Sequence, residues 1–245
     1  MISVCMATYN GERFIKEQID SILSQLSEND ELIISDDGST DRTLEIIVSF
    51  NDSRIKLLHH KHNPAYEKIK HSRSFYYATD NFENALKEAK GDYIFLSDQD
   101  DVWAADRVKK MVAELQNHDL VMCNFSVIDE NGDVIQEKFY SVSPISKNVI
   151  KNIIASKFLG SALAFSHHVL EYALPFPKNL IGHDLWLGCC GCKSYFFIDE
   201  SLHFYRRYGN NVSTSTENSK NNFFYKIFWR VVFLLKVIKR KLHLK

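Results

Sequence analysis

The sequence predicts an α/β protein built on a largely parallel, doubly wound sheet. Three observations carry that expectation. Short apolar runs alternate with helix-spaced amphipathic runs through the first sixty residues. A later run, Tyr93–Leu96, places four apolar residues in succession, as in a strand covered on both faces. That run ends abruptly in Ser97-Asp98-Gln99-Asp100-Asp101, and open α/β sheets hold their ligands outside the carboxyl ends of strands.

Taken in order, Ile2–Ala7 is an apolar strand ending in the polar turn Thr8-Tyr9-Asn10-Gly11. Glu12–Leu26 carries Phe14, Ile15, Ile19, Ile22 and Leu23 at helical spacing. Leu32–Ile34 is a second strand, and Ser39 or Thr40 is placed to cap a helix over Asp41–Phe50. Ile55–Leu58 is a third strand. His59–Thr79 is basic, rich in His and aromatics, and aperiodic, which reads as an irregular surface loop with solvated histidines. Asn81–Lys90 is a helix leading into the acidic strand, Asp106–His118 another helix, and Leu120–Phe125 another strand.

Asn131-Gly132 between Val127-Ile128 and Val134-Ile135 signals a hairpin, so the second half leaves strict alternation. Gly160-Ser161-Ala162 opens an apolar run to Phe165 with small residues where a neighbour can approach closely. Pro175 and Pro177 break the chain before Ile181–Leu187, where Asp184 sits in an apolar helix start. An acid there either caps the helix or stands in a partly dry site as a general base. Tyr195–Ile198 and Leu202–Tyr205 are strands, followed by the cationic turn Arg206–Asn211, suited to phosphate.

Three acids within four positions repel one another, and oxygen ligands suit a hard ion, Mg2+ or Mn2+, completed by substrate phosphates. A solvated acidic turn is the alternative; the apolar strand before it and Trp103 after it speak against that. No GxGxxG follows the first strand and no GxxxxGK[ST] occurs, so phosphate must be met by metal and side chains. The 245 residues carry net charge −1, but eight Lys/Arg and no acid lie from Lys220 onward, leaving net −9 before it. That body is not built to grip nucleic acid. Five cysteines, an odd number, sit mostly in apolar surroundings with no secretory signal before them, as in a reduced cytoplasmic protein.

The ordered segments ISVCMATYNGERFIKEQIDSILSQ, DELIISDDGSTDRTLEII, FENALKEAKGDYIFLSDQDDVW, GSALAF, GHDLWL and YRRYGNNVS resemble the family 2 glycosyltransferases. The resemblance covers residues 2–215 and leans toward bacterial enzymes of O-antigen, capsule and rhamnose-containing polysaccharides. It implies the GT-A fold: a Rossmann-like, doubly wound mixed sheet in a single domain, residues 1–219, with a nucleotide-sugar half at 1–105 and an acceptor half at 106–219. It further implies that Asp37, with Thr8 and Tyr9, lines the nucleotide-base pocket. Asp98 and Asp100 would hold a divalent metal on the donor diphosphate, Arg206 would approach that diphosphate, and Asp184 would deprotonate the acceptor hydroxyl with inversion. The implied partners are a nucleotide-diphosphate sugar and a saccharide acceptor linked to a polyprenyl diphosphate. Two departures stand out: Leu185-Trp186 where relatives often have a second Trp after the Asp, and Tyr208 where a His is common.

Two other classes compete. Asp98-Gln99-Asp100-Asp101-Val102 also satisfies the DxDx[TV] pattern of haloacid-dehalogenase-like phosphatases, although a whole α/β unit precedes it. A catalytically inactive carbohydrate-binding relative is the other, opposed by the three acids Asp37, Asp100 and Asp184. Residues 220–245 form a basic, apolar tail whose longest charge-free run, Val231–Leu235, is too short to span a bilayer. Phe228, Trp229 and Phe233 would serve as contacts if it packs on the domain. Basic residues mixed with aromatics instead suit a helix lying on an anionic membrane, which would make the protein peripheral on the inner face.

Overall fold

Alternation of buried strands and half-buried helices builds the first half of the sheet. The computed structural model describes residues 1–69, 72–146, 148–155, 157–209 and 223–243. In order come β1 (Ile2–Thr8), α1 (Ile15–Leu23), β2 (Glu31–Asp36), α2 (Thr43–Ser49), β3 (Ile55–His59), α3 (Arg73–Leu86) and β4 (Tyr93–Ser97). The strands pair in parallel in the order β3-β2-β1-β4. Val4, Cys5, Met6, Ile33, Ile34, Phe95 and Leu96 are fully buried, as continuous apolar strands between two helical layers should be. The chain adds strands first on one side of β1 and then on the other, so β1 lies at a topological switch point.

The second half is mixed. It comprises β5 (Val102–Trp103), α4 (Arg107–Leu115), β6 (Leu120–Ile128), β7 (Val134–Gln136), α5 (Val149–Ala155), β8 (Leu163–Ser166), α6 (His168–Ala173), α7 (His183–Cys190), β9 (Tyr195–Arg206) and α8 (Phe223–His243). The sheet continues β4-β8-β6-β9-β5, with β8 antiparallel to both neighbours, β9 parallel to β6, and β7 hairpinned onto β6. Gly132 takes φ +92° in that hairpin, the left-handed conformation its sequence signalled. The five cysteines are buried free thiols.

Several sequence expectations need correction. The segment read as a loop to Thr79 is helical from Arg73, because α3 buries Thr79 and Asn81 alongside Phe82, Ala85 and Leu86. Polar residues on the inward face hide the apolar period. The two strands expected before Arg206 are one, with its register broken opposite Cys123–Phe125; exposed Asp199 and Glu200 interrupt its apolar pattern. Neither Ser39 nor Thr40 closes the start of α2. Asp41 does, accepting the Thr43 N–H at 3.0 Å, while the Ser39 hydroxyl donates to Asp36.

The tail is also more attached than its composition suggests. Within α8, Phe233 and Val237 are 2% and 3% exposed, and Phe233 meets Trp186 of α7 edge-on at 6.0 Å. Phe228, expected among the core contacts, is 67% exposed. Five residues of helix rotate it about 140° from Phe233, onto the outer face. Removing the Phe233 ring should therefore open a cavity. In urea unfolding, Phe233→Ala is expected to lose about 3 kcal/mol, whereas Phe228→Ala should stay within about 0.5 kcal/mol of the parent.

Candidate active site

Strand registers gather the polar turns on one edge of the sheet. Thr8 lies opposite Asp36 and Met6 opposite Ser97, so β1, β2 and β4 end together. Ala164 pairs with Phe95, which brings the Gly160–Ala162 turn beside the end of β4. Arg206 pairs with Ile128, aligning the ends of β6 and β9, which run in the same direction as β4. Every residue expected in the site lies on or beside this edge.

Asp37 follows β2, is 4% exposed, and donates its N–H to the Thr8 carbonyl at 2.9 Å. His60 Nδ1 bonds Asp37 Oδ1 at 2.7 Å. His62 Nδ1 stands 2.6 Å from Asp37 Oδ2, off the line of a hydrogen bond. The His62 ring stacks on Tyr77 at 4.0 Å and 15°, with the Tyr9 ring 5.4 Å away on a tilt. The result is an aromatic slot ending in a buried carboxylate. Sequence reading took these histidines as solvated and passed over Tyr77; an aperiodic segment gives no signal for what its side chains meet. His71 lies outside the described residues.

Gln99 ties this slot to the acidic turn. Its Oε1 accepts from Thr8 Oγ1 at 2.5 Å and from the Tyr9 N–H at 2.8 Å, and its Nε2 donates to the Tyr9 carbonyl at 3.1 Å. A Cβ at Gly11 would fall 2.5 Å from that Oε1, so a larger residue there would push the Gln99 amide off these partners. Nothing in the sequence distinguished Gln99 from its acidic neighbours.

The acids themselves are crowded. Asp98 is held well above the ordinary carboxylate range, first by burial and then by the charges of Asp101, Asp100 and Asp184, with the Ser161 hydroxyl opposing. Asp100 is pushed up to about 7 by burial and Asp101, although Tyr208 Oη donates to its Oδ2 at 2.6 Å. Among the described residues no group of three or more His, Cys, Asp or Glu is arranged to hold a metal ion. Two crowded carboxylates whose ionised forms remain disfavoured despite Arg206 beside Asp100 nevertheless fit a hard divalent cation that draws its remaining ligands from phosphate and water.

Arg206 was expected near the diphosphate. In the structure it is 1% exposed and braces the acidic turn. Its N–H donates to Asp101 Oδ1 at 2.9 Å, its Nε to the Asp100 carbonyl at 3.0 Å, and its Nη2 to Glu17 at 2.6 Å. The guanidinium lies over the Phe14 ring at 4.6 Å.

Asp184 stands in the first turn of α7, whose cap is Gly182 at φ +81° with no side-chain bond closing it. The helix-start reading is nevertheless realised, because the Asp184 carboxylate itself meets a first-turn N–H. Asp184 Oδ1 accepts the Leu185 N–H at 2.7 Å. Burial raises its carboxyl to about 6 against backbone N–H bonds, one of them from Gly160. A Cβ on Gly160 would sit 3.0 Å from His183 Nε2 and 3.6 Å from Asp184 Cβ, so a glycine here lets α7 approach the acidic edge. His183 stacks on Phe82 at 4.1 Å, and burial drives its imidazole down to about 3, leaving it neutral.

The sequence and fold match known proteins. The UDP-Glc:alpha-D-GlcNAc-diphosphoundecaprenol beta-1,3-glucosyltransferase WfgD of Escherichia coli is 32% identical over 155 residues, 62% of this chain and 56% of the relative. The chain thus spans little more than half the length of that relative. Its fold superposes on Staphylococcus aureus TarS 1–349 in complex with UDP-GlcNAc at TM-score 0.67 and 19% identity, covering 96% of this chain and 66% of TarS. It also superposes on the mannosyltransferase PcManGT of Pyrobaculum calidifontis in complex with GDP-Man and Mn2+ at 0.55 and 18%, covering 99% and 64%. The fold is therefore GT-A. The model for glycosyl transferase family 2 matches residues 3–171, more than two thirds of the sequence, and the chain belongs to that family.

Proposed function

We propose that this chain is an inverting, metal-dependent glycosyltransferase. It would move a hexosyl or rhamnosyl group from a nucleotide-diphosphate sugar to a saccharide on a polyprenyl diphosphate, in bacterial surface polysaccharide synthesis. One observation carries the reading: a carboxylate raised to about 6, Asp184, lies close enough to the anion-crowded Asp98–Asp101 turn for its charge to act on Asp98. WfgD, whose name specifies UDP-Glc and a diphosphoundecaprenol acceptor, supports the donor and acceptor classes.

In this reading residues 1–105 bind the donor and 106–219 the acceptor. A nucleobase enters the Tyr9–Tyr77 slot, competes with His62 for Asp37, and rests against Thr8. Asp98 and Asp100 hold a divalent cation, Mn2+ or Mg2+, which supplies charge neutralisation at the diphosphate. Asp184 accepts the proton of the acceptor hydroxyl as that oxygen bonds to the anomeric carbon. The carbon–oxygen bond to the diphosphate breaks on the opposite side, its electron pair leaves with the nucleotide, and the configuration inverts. Arg206 contributes to donor binding indirectly, by fixing the backbone of Asp100 and the carboxylate of Asp101.

The tail (220–245) completes the proposal as the contact with an anionic membrane surface on the cytoplasmic side. Among the described residues no helix is long and apolar enough to cross a membrane. Outward along α8 stand Phe228, Val231, Leu235, Ile238 and Leu242, all 45–67% exposed. Lys239 and Lys241 are exposed on the same helix, and residues 220–245 contain no acid. An amphipathic, acid-free helix is what an anionic interface binds.

Three outcomes test this. Nucleotide sugars screened by thermal shift should stabilise the protein more with Mn2+ than with chelator, and Asp100→Asn should abolish the difference while activity falls by about 100-fold or more. The folded pKa of Asp100 exceeds its unfolded value, so its ionised form destabilises as pH rises through about 7. Metal-free Asp100→Asn should therefore melt higher than the parent at pH 8 and lose that advantage near pH 4. Normal metal-dependent turnover in this variant would remove the metal assignment.

Asp184→Asn should lose about 10²–10⁴-fold in transfer with donor affinity unchanged by calorimetry. In the parent, turnover should rise through pH 6 as Asp184 ionises, and that limb should vanish in the variant. For the tail, sedimentation with anionic liposomes at low salt should bring down the full chain. Phe228→Ser/Leu235→Ser/Lys239→Glu should stay in the supernatant with its melting temperature intact, because these side chains lie off the packed face.

A further inference from the structure

Asp37 meets two histidines, and the two are held differently. β2 and β3 pair with Asp36 opposite His59, so Asp37 and His60 leave the sheet side by side. The His60 N–H continues the ladder onto the Asp36 carbonyl at 2.7 Å, and the Asp37 N–H is bound to the Thr8 carbonyl at 2.9 Å. A carboxylate only accepts, so the imidazole donates across the 2.7 Å between His60 Nδ1 and Asp37 Oδ1. Both ends of that bond are fixed by sheet backbone.

His62 lies beyond the strand. Its Nδ1 stands 2.6 Å from Asp37 Oδ2 without the alignment of a hydrogen bond, and its ring is held by stacking on Tyr77. The His62 side chain is 37% exposed against 17% for His60. An incoming ring therefore displaces His62 and leaves His60 in place.

The two oxygens of Asp37 thus have different duties. Oδ1 is committed to His60, and Oδ2 is the oxygen that meets a ring in the Tyr9–Tyr77 slot. TarS and PcManGT, which share the fold, are complexed with UDP-GlcNAc and GDP-Man, so the fold leaves the base open. A single free oxygen does not. Uracil and thymine offer one ring N–H between two carbonyls, a single donor for a single acceptor. Cytosine turns an unprotonated ring nitrogen to the same place, acceptor against acceptor. Guanine brings two adjacent donors, N1–H and the 2-amino group, which call for both oxygens of a carboxylate and find one taken. A buried polar group facing the wrong partner loses its hydrogen bond without regaining water, so such a site rejects the analogue that cannot make the bond.

We propose that His60 is a specificity-determining residue, which makes the base site selective for uracil or thymine over cytosine and guanine. This deepens the donor reading above and rests on Asp37 as the base contact. The donor is then a uridine or thymidine diphosphate sugar.

Calorimetric titration of the full chain with UDP, dTDP, CDP and GDP in the presence of Mn2+ tests the selectivity without turnover. The tighter of UDP and dTDP is expected to exceed both CDP and GDP by about 10–100-fold. His60→Ala frees Oδ1, so the gap to GDP should narrow by about 10-fold while the gap to CDP persists. His60→Gln, whose amide still donates an N–H, should keep GDP weak. Asp37→Asn retains an acceptor for His60 and presents an N–H in place of Oδ2, so CDP should match or overtake UDP. Where a variant fails to fold, the order of the four bases in the parent decides. Equal affinity for the four, a parent that prefers CDP or GDP, or an unchanged GDP gap in folded His60→Ala overturns the selectivity and leaves the nucleotide site standing. Failure of all four to bind overturns the donor reading and the selectivity with it.

Discussion

Repulsion among Asp98, Asp100, Asp101 and Asp184 is the constraint around which this molecule is arranged. Burial, and after it the charges of Asp101, Asp100 and Asp184, raise the cost of ionising Asp98, and burial with Asp101 does the same to Asp100, because little water screens them. Four carboxylates on one edge of a buried sheet are tolerable only if each meets a different compensation. Asp101 receives the Arg206 N–H, Asp100 the Tyr208 hydroxyl and Asp184 backbone N–H groups, while the nearby Ser161 hydroxyl favours the ionised form of Asp98. None of these neutralises a charge. They orient carboxylates and leave the electrostatic demand for a cation in place.

The donor side follows a different logic. Asp37 is buried singly, and its compensation comes from His60 and His62 in a segment without regular structure. A ring stacked between tyrosines and reaching toward a carboxylate has the shape and polarity of a heterocyclic ligand. In this structure His62 occupies the slot, stacked on Tyr77. Gln99 then couples the two sides, since it bonds the turn after β1 while sitting between Asp98 and Asp100.

Where apolar pattern dictates structure, the sequence could be read directly. The parallel half, the acidic turn at the end of β4 and the hairpin at Gly132 follow from runs of buried residues and from turn chemistry. Asp37, Asp98, Asp100 and Asp184 were legible as types at motif positions, and the fold brings them to one edge. What stayed hidden was polar and buried. Thr79 and Asn81 masked the first turns of α3, and His203 looked like one more residue of a strand. Arg107 was one unremarked residue of the helix expected over Asp106–His118, and Arg206, expected at a phosphate, braces the acidic turn. A side chain's partner across a hundred residues leaves no local periodicity, so the supports of a site are less legible than its acids.

The tail shows why composition alone misleads about attachment. Trp186 is fully buried, donates its Nε1–H to the Ala173 carbonyl, and receives Phe233 edge-on and Arg240 over its face. The helix that bears Asp184 is thereby clamped between the domain and α8. Lys236 and Arg240, which look like part of a uniform basic face, donate to backbone carbonyls of the 174–179 loop and hold α8 in place. Two basic residues are thus committed to seating, and Lys239 and Lys241 remain exposed beside the apolar stripe. One face of α8 belongs to the core, one helix away from the candidate base, while the other stays exposed and apolar.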